Sequence, residues 1–291
     1  MGIGDDIIAT SMAKGAAARG DLVAFGSGGR IIWGPHSKMI FQNNPNVAAP
    51  GQERQATRWV AYHKGSRIYN KAAPDRWVWN YSFSVEPGEI FFGRDELVGW
   101  DEKLVILEPN LPGKPNSPNK RWLPGRWAEV ADILREEGWK VRQFSYGGPV
   151  SVAEGIETRT FRQAAAWLRA ARLVILPEGG LHHAAAAVGT PAVVLFGGFA
   201  PPSVLGYGEH ENLTGGAEVA CGSFRTCSHC VAAMARIVAF HDIAWKRVVH
   251  DTKKLPIDVP KVWAEIKGGY KHTEIRYCPQ DNGIGVLWRD I

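Results

Sequence analysis

The chain has 291 residues, 45% of them hydrophobic and 22% charged, which is the composition of an ordinary globular protein. This length is enough for two domains of usual size and excludes disorder as the whole description. The net charge of +5 suits an anionic ligand without requiring nucleic acid. No apolar run reaches the ~20 residues of a membrane helix, and Asp5 and Asp6 stand where a signal peptide carries positive charge, so we expect a cytoplasmic protein.

The first hundred residues predict a helix that begins at Asp5 or Asp6 and ends near Ala18, followed by a short strand from Leu22 to Phe25. Turn-forming residues dominate the next segment. The interval 54–79 then combines basic side chains with aromatic ones, a mixture that can hold a polyanion or stack on flat rings. The basic positions that we single out there are Arg54, Arg58, Lys64 and Arg67.

From residue 104 onward short β runs alternate with helical runs, which is typical of a parallel sheet with crossover helices. The pattern predicts strands at 104–107, 141–144, 173–176 and 192–196, with helices around 127–134, 161–168 and 181–188 between them. We place a domain boundary near Trp100 to Lys103. It divides the chain into an N-terminal domain 1–101, a nucleotide-binding domain 102–240 and a tail 241–291, whose part from His241 to Val249 is a candidate helix packing back on the N-terminal domain.

A glycine turn, Glu178-Gly179-Gly180, separates the third predicted strand from its helix. Glycines allow a close ligand approach, and the free N–H groups at a helix start attract phosphate oxygens. Glu178 lies at the carboxyl end of a strand, where it can accept hydrogen bonds from ribose or sugar hydroxyls. His182 and His183 follow in the first turn, where the helix dipole favours neutral imidazole and one of the two can face a ligand. Packing roles stay open for the glycines and the histidines.

Two further polar pairs occupy predicted helix starts. Lys120 and Arg121 precede the helix around 127–134 and could neutralise a diphosphate, although a solvated basic loop is the commoner case. Asp5 and Asp6 open the first helix, where a carboxylate either caps the helix or, at a cleft edge, takes a proton as a general base.

The cysteines Cys221, Cys227 and Cys230 are close enough in sequence to ligate a metal. Structural zinc sites usually show two close pairs of ligands, and only Cys227 and Cys230 form such a pair. The spacing therefore favours no metal, with reduced cysteines packing a turn as the default and a structural zinc site as the alternative.

Together these segments resemble glycosyltransferase family 9, the ADP-heptose:lipopolysaccharide heptosyltransferases, and more closely its short members from bacteria and phages. The matching segments are Gly4-Asp5, Lys120-Arg121-Trp122, Glu178-Gly179-Gly180-Leu181-His182-His183-Ala184-Ala185-Ala186, Gly189-Thr190-Pro191 and Leu195-Phe196-Gly197. They are similar to the family's Gly-Asp, Lys-x-Trp-Pro and Asp-x-Gly-Leu-x-His-x-Ala-Ala motifs, its glycine-proline turn and its Phe-Gly strand end. Two departures are Leu123 before Pro124, and Glu178 in place of an aspartate.

The resemblance implies a GT-B fold of two Rossmann-like domains with parallel sheets, the N-terminal one reduced. It implies an inverting, metal-independent enzyme that needs no cofactor and moves a sugar from a nucleotide-diphosphate sugar to a saccharide hydroxyl, as in lipopolysaccharide. Asp5, or Asp6 beside it, would be the base, and the basic positions Arg54, Arg58, Lys64 and Arg67 would contact the acceptor. The donor would be held by Lys120, Arg121, Glu178, Gly179, Gly180, Leu181, His182 and His183.

Three other readings stay open. The basic, aromatic interval could hold a nucleic-acid backbone, which would make the chain a phage-type DNA-base glycosyltransferase with the same donor site. The altered Glu178, and a Gly-Asp turn without the family's preceding strand, would suit a non-catalytic nucleotide-sugar-binding protein. A zinc-stabilised interaction module is the third reading.

Overall fold

A computed structural model describes residues 2–61, 66–145, 147–217, 219–237, 273–278 and 285–290. The helices are α1 Ile3–Ala17, α2 Ser37–Phe41, α3 Pro124–Glu136, α4 Phe161–Ala170, α5 Gly180–Ala187, α6 Pro202–Leu205 and α7 Ser228–Arg236. The strands are β1 Val23–Ser27, β2 Arg30–Ile31, β3 Arg58–Val60, β4 Ser66–Arg67, β5 Asn70–Ala72, β6 Trp77–Trp79, β7 Asp101–Leu107, β8 Lys140–Phe144, β9 Glu154–Ile156, β10 Ala171–Pro177, β11 Ala192–Phe196, β12 Glu211–Thr214, β13 Thr273–Cys278 and β14 Gly285–Asp290.

Six strands form one parallel sheet in the order β12-β11-β10-β7-β8-β9. This confirms the predicted α/β class. The four strands predicted from residue 104 onward are β7, β8, β10 and β11, and the three helices predicted between them are α3, α4 and α5. The edge strands β9 and β12 were not predicted, because they are short and mostly exposed or half-buried and so lack an apolar run. The strand order reverses between β7 and β10. Parallel α/β sheets bind ligands in the crevice that such a reversal creates at the carboxyl ends of the strands.

The sheet is buried on both faces, as its apolar strands require. Along β7, Leu104 and Ile106 face one apolar cluster, which includes α1, α4 and α5, while Val105 and Leu107 face the other. The second cluster contains the inward side of α3, including the fully buried Trp127. The large sheet is therefore the centre of the fold.

The N-terminal region contributes much less sheet. Strand β1 pairs with β3 in parallel and with β2 antiparallel, and β4, β5 and β6 form a separate antiparallel sheet. Helix α1 begins at Ile3, two residues before the earliest predicted start, and β1 begins at Val23 where Leu22 was predicted. Much of the apolar surface of this region joins the cluster on the large sheet.

Helix α1 packs directly against α5 of the large sheet, and glycines permit the close approach of their first turns. A Cβ on Gly4 would lie 2.7 Å from Cδ2 of His183, and one on Gly180 would lie 2.7 Å from Cγ2 of Ile3. Both distances are below normal contact between carbon atoms, so any side chain would push the two helix starts apart. This contact fixes the first turn of α1 beside the first turn of α5.

The division at 101 and 240 stays a prediction, and the candidate helix 241–249 lies outside the described residues. Of the tail, the structure describes the backbone of the antiparallel pair β13 and β14. Within the described parts of the chain, no helix is long and apolar enough to cross a membrane.

A buried arginine ties the two regions together, and its loss should be costly. Arg162 on α4 forms a two-point ion pair with Glu96 at 2.6 Å and donates to the carbonyls of Met39 and Phe91 at 2.7 and 2.6 Å. We expect Arg162→Ala to lower the free energy of unfolding by roughly 3 kcal/mol, because it leaves the Glu96 carboxylate and two backbone carbonyls without their hydrogen-bond donor. Urea unfolding measures this.

The matched control for that experiment is Arg126→Ala, which breaks a more exposed ion pair with Glu129 within α3. It should cost less than about 0.5 kcal/mol. Equal losses in the two variants would contradict the tie between the regions.

Candidate active site

A cleft of about 390 Å³ opens at the carboxyl ends of β10 and β11. The first turns of α1 and α5 form its floor, and the small β4-β5-β6 sheet forms one wall. Its lining consists of Gly2, Gly4, Asp5, Arg67, Tyr69, Asn70, Trp77, Trp79, Lys114, Pro115, Asn116, Lys120, Glu178, Gly179, Gly180, His183, Phe199, Leu205 and Phe224. The cleft therefore brings together residues from the opening motif, the Lys-x-Trp segment and the glycine turn.

Asp5 lies in the first turn of α1 and points into this cleft. Its Oδ2 accepts the Gly2 N–H at 2.6 Å and pairs with the Arg67 guanidinium at 3.0 Å, and its Oδ1 accepts from the Tyr69 hydroxyl. Burial raises the pKa of Asp5, although Arg67 and the Gly2 N–H partly oppose the rise. The same carboxylate thus caps the helix and faces the cleft, where a general base would have to lie.

Asp6 turns away from the cleft, because adjacent helical residues diverge by ~100°. Its side chain is only 2% exposed, and the Ser37 hydroxyl donates to its Oδ2 at 3.2 Å. Burial raises the pKa of Asp6 to about 6. The structure thereby separates the two candidate bases by position, with Asp5 in the cleft and Asp6 in the packing between α1 and α2.

Lys120 and Glu178 form an ion pair across the cleft, and both side chains are largely buried. The Lys120 ammonium also lies 4.5 Å from the centre of the Phe199 ring, a favourable position for a cation over an aromatic face. Arg121 is exposed and is not part of the cleft lining. Of the two adjacent cations, Lys120 alone is placed to meet a ligand in this cleft.

The histidine pair divides as the helical geometry requires. His182 is fully buried and contacts the carbonyls of Gly179 and Leu205 at 3.0 and 2.8 Å, whereas His183 lines the cleft. The Tyr207 hydroxyl lies 2.7 Å from Nδ1 of His183, and the opposite Cδ2–Nε2 edge of the ring faces Gly4. A hydroxyl that donates to Nδ1 leaves the proton on Nε2, on the cleft side.

Both histidines are held neutral. Burial is the largest cause, lowering the pKa of His182 to about 4 and that of His183 well below its ordinary value. The sequence argument had relied on the helix dipole for the same result. A neutral His183 can donate one hydrogen bond to a ligand oxygen.

The basic, aromatic interval contributes to the cleft only through its later half. The Arg67 guanidinium stacks 4.3 Å from the Trp77 ring, and Trp79 lines the same wall. Arg54 and Arg58 are exposed and absent from the lining, and Lys64 lies outside the described residues. Of the four predicted acceptor contacts, the structure thus brings Arg67 to Asp5.

The sequence analysis did not single out Lys114, Phe199, Tyr207 or Phe224 as site residues. Lys114 stands alone in a Pro- and Asn-rich loop, and the other three come from segments without a local motif. Only the sheet topology reveals them, because it brings the loops after β7, β11 and β12 to the same edge.

A second cavity of about 330 Å³ lies on the other side of the Gly179–Gly180 turn, at the switch point between β7 and β10. Polar groups of Glu108 and Asn110 stand at its base beside mainly apolar walls. Those walls include Ile3, Leu111, Pro112, Phe161, Leu176 and Leu181. Leu181, a predicted donor residue, therefore lines this cavity instead of the cleft.

Among the residues that the structure describes, two groups of side chains have the composition of a metal site. Donor atoms of Glu178, His182 and His183 lie within 4.8 Å of one another; Glu178 pairs with Lys120, His182 contacts two backbone carbonyls, and Nδ1 of His183 contacts the Tyr207 hydroxyl. The second group is the cysteine cluster, Cys221, Cys227 and Cys230, whose sulfur atoms also lie within 4.8 Å of one another, outside the cleft lining.

A parallel α/β sheet with a glycine turn, a helix start and cations at its carboxyl edge is the arrangement of nucleotide-binding α/β proteins. Residues 156–231, which contain the glycine turn, match the family model of glycosyltransferase family 9 (heptosyltransferase). This match confirms the resemblance seen in the sequence: over this segment the chain is similar to glycosyltransferase family 9 of the heptosyltransferase type.

The chain is 28% identical over 161 residues to lipopolysaccharide heptosyltransferase 2 of Salmonella typhimurium, covering 49% of this chain and 44% of that protein. It therefore spans less than half the length of that relative. Among solved structures, the iron-containing dodecameric glycosyltransferase TibC of enterotoxigenic E. coli matches with a TM-score of 0.49 and 16% identity, over 74% of this chain and 62% of that one. A family 9 glycosyl transferase from Veillonella parvula matches with a TM-score of 0.47 and 15% identity, over 73% and 83%.

The raised pKa of Asp6 predicts a pH-dependent cost that Asp6→Asn should remove. An unfolded aspartate ionises near pH 4, whereas folded Asp6 keeps its proton to about pH 6, so ionisation favours unfolding increasingly between these values. The variant should gain up to about 3 kcal/mol over the wild type at pH 7 and almost nothing at pH 4. Urea unfolding at several pH values measures this difference.

Asp95→Asn, at an exposed aspartate, is the control and should show no such dependence. A stability gain of Asp6→Asn that is the same at pH 4 and pH 7 would contradict the assignment.

Proposed function

We propose that this chain transfers a sugar from a nucleotide-diphosphate sugar to a hydroxyl of a saccharide acceptor, with inversion at the anomeric carbon. The observation that carries the proposal is that one cleft holds a carboxylate of raised pKa, a lysine and a helix start. These are the parts that such a displacement needs: a base for the acceptor and positive groups for the leaving diphosphate.

The donor side is built around the glycine turn. Free N–H groups at the start of α5, the Lys120 ammonium and the Nε2 edge of His183 converge on one part of the cleft. A diphosphate bound there would draw Lys120 from Glu178, and the negative charge that grows on the leaving phosphate would be stabilised by these donors. The similarity of residues 156–231 to family 9 supports this placement.

The acceptor side is built around Asp5. In the proposed reaction Asp5 takes the proton of the acceptor hydroxyl, whose oxygen attacks the anomeric carbon from the face opposite the diphosphate. A single displacement of this kind inverts the anomeric centre. Burial supports the role, because a carboxylate whose pKa is raised toward neutrality is a stronger base.

The aromatic wall favours a saccharide as the acceptor. Trp77 and Trp79 line the cleft near Asp5, and flat aromatic faces pack well on the apolar faces of sugar rings. The DNA-base alternative gains no support, since Arg54 and Arg58 lie outside this cleft and the matched relatives are heptosyltransferases. The binding-protein alternative predicts donor binding without transfer, so catalysis separates it from the proposal.

The nucleoside half of the donor fits the second cavity. That cavity adjoins the same glycine turn, and its mainly apolar walls suit a nucleobase. A donor that crosses the Gly179–Gly180 turn would thus place its nucleobase at the switch point between β7 and β10 and its transferred sugar in the cleft.

Donor binding can be measured by thermal shift with a panel of nucleoside diphosphates and their sugars, because a ligand that binds only the folded state raises Tm. Lys120→Ala should weaken diphosphate binding by roughly tenfold to a hundredfold, through loss of a charged hydrogen bond. The neighbouring Arg121→Ala is the matched control and should bind as the wild type does. If no nucleotide raises Tm, or if both variants lose binding equally, the donor site is placed wrongly.

Catalysis separates the two adjacent aspartates. With the nucleotide sugar found above and a panel of lipopolysaccharide-core oligosaccharides, Asp5→Asn should lower kcat by about 10²–10⁴-fold while leaving donor affinity nearly unchanged. Asp6→Asn should keep wild-type kcat, because that side chain lies outside the cleft. NMR of the product reports the anomeric configuration, and retention of configuration would contradict the proposal. Donor binding with no transfer by the wild type would favour the binding-protein alternative.

A further inference from the structure

The cysteine cluster lies behind the aromatic wall of the cleft, and its geometry is not that of ordinary core packing. All three cysteines are free thiols, with Cys230 fully buried and Cys221 and Cys227 half-buried. Their sulfur atoms lie within 4.8 Å of one another. Four-coordinate zinc, with metal–sulfur bonds of about 2.3 Å, needs sulfur atoms roughly 3.8 Å apart, so a small movement brings these three to that spacing.

The backbone around Cys221 supplies a second, independent observation. The N–H of Ser223 donates to the Cys221 sulfur at 3.4 Å, and Gly222 between them has a φ of +61°. A Cβ on Gly222 would also lie 2.3 Å from the Trp77 carbonyl oxygen. The chain therefore makes a tight glycine turn that aims an N–H group at a sulfur, and such hydrogen bonds stabilise metal-bound thiolates.

Helix α7 supplies the other two thiols from its first turn. Cys227 is the residue that precedes the helix, and Cys230 is its third residue. The N-terminal end of a helix lowers the cost of a thiolate through its dipole. One thiol from a glycine turn and two from a helix start thus meet at one point.

From this geometry we propose that Cys221, Cys227 and Cys230 bind one thiophilic, tetrahedral metal ion, zinc or iron, whose role is structural. Three thiolates leave the fourth position of the ion for one further ligand. The sequence spacing alone had favoured reduced cysteines, because only two of the three are neighbours in the chain. The fold adds the third and supplies the hydrogen bond to its sulfur.

The metal would brace two walls of the cleft. On one side Gly222 accepts from the N–H of Trp77 at 3.0 Å. On the other side the N–H of Cys227 donates to Oδ1 of Asn119 at 2.7 Å, and the fully buried Asn119 directly precedes Lys120. The ion would therefore fix the loop that holds the aromatic wall and the lysine in position.

Metal content tests this inference without a donor or an acceptor, so its outcome is separate from that of the proposed function. The full chain, purified without added metal or chelator, should contain about one zinc or iron ion by elemental analysis. Cys221→Ser and Cys230→Ser should each lower metal content or affinity by more than about tenfold. Thr226→Ala, in the same loop but with all three thiols, is the matched control and should keep the metal.

A second measurement guards against variants that fail to fold. Wild-type chain stripped of metal and titrated with Co²⁺ should show thiolate-to-cobalt charge-transfer bands that saturate near one equivalent, and zinc should abolish them. Metal below about a tenth of an ion per chain without these bands would overturn the inference. Metal that survives in both cysteine variants would overturn it as well, because the ion would then lie elsewhere.

Discussion

The contact between the first turns of α1 and α5 is the constraint on which the site depends. Gly4 and Gly180 leave no room for a side chain between these helix starts, so α1 lies directly on the helix that follows the glycine turn. This contact carries Asp5, from the beginning of the chain, to the carboxyl edge of the large sheet. Without it Asp5 and the glycine turn would belong to separate surfaces.

Three buried polar groups at the cleft have side-chain partners. Asp5 has Arg67 and Tyr69, Glu178 has Lys120, and His183 has Tyr207. Burial of an unpaired charge or donor is costly, so each partner offsets the desolvation of the group that it contacts. The sheet supplies these partners from loops that are distant in sequence. The Asp5 carboxylate can therefore be kept in the cleft without unfolding the region around it.

The sequence predicts the parts of the fold that leave a periodic pattern. Strands β7, β10 and β11 each contain a continuous apolar run, β8 has apolar residues at Val141 and Phe144, and α3 shows helical spacing, so these elements were predicted. The polar edge strands β9 and β12 were missed because they have no such run. In the site, the motif residues Lys120 and Glu178 were found by local spacing. Tyr207 was not found, because only the folded sheet brings it into contact with His183.

The same limit applies to the choice between equivalent neighbours. Sequence alone treats Asp5 and Asp6, or Lys120 and Arg121, as interchangeable, since both members of each pair have the right chemistry. Burial and direction decide between them: Asp6 faces Ser37 and Arg121 faces solvent. The sequence thus predicts which helical turn or loop lies at the cleft, and only the packing shows which of two neighbouring side chains points into it.

The ion pair between Lys120 and Glu178 has a consequence for how the two halves of a donor are recognised. In the free cleft each group satisfies the other, so a phosphate that captures the ammonium leaves a carboxylate inside a desolvated site. A sugar hydroxyl on the same ligand can satisfy that carboxylate, whereas a nucleoside diphosphate without the sugar cannot. In the proposed reaction, phosphate and sugar recognition would then be cooperative through one exchanged partner. The pair would also discriminate against the spent nucleotide, which would favour its release after transfer.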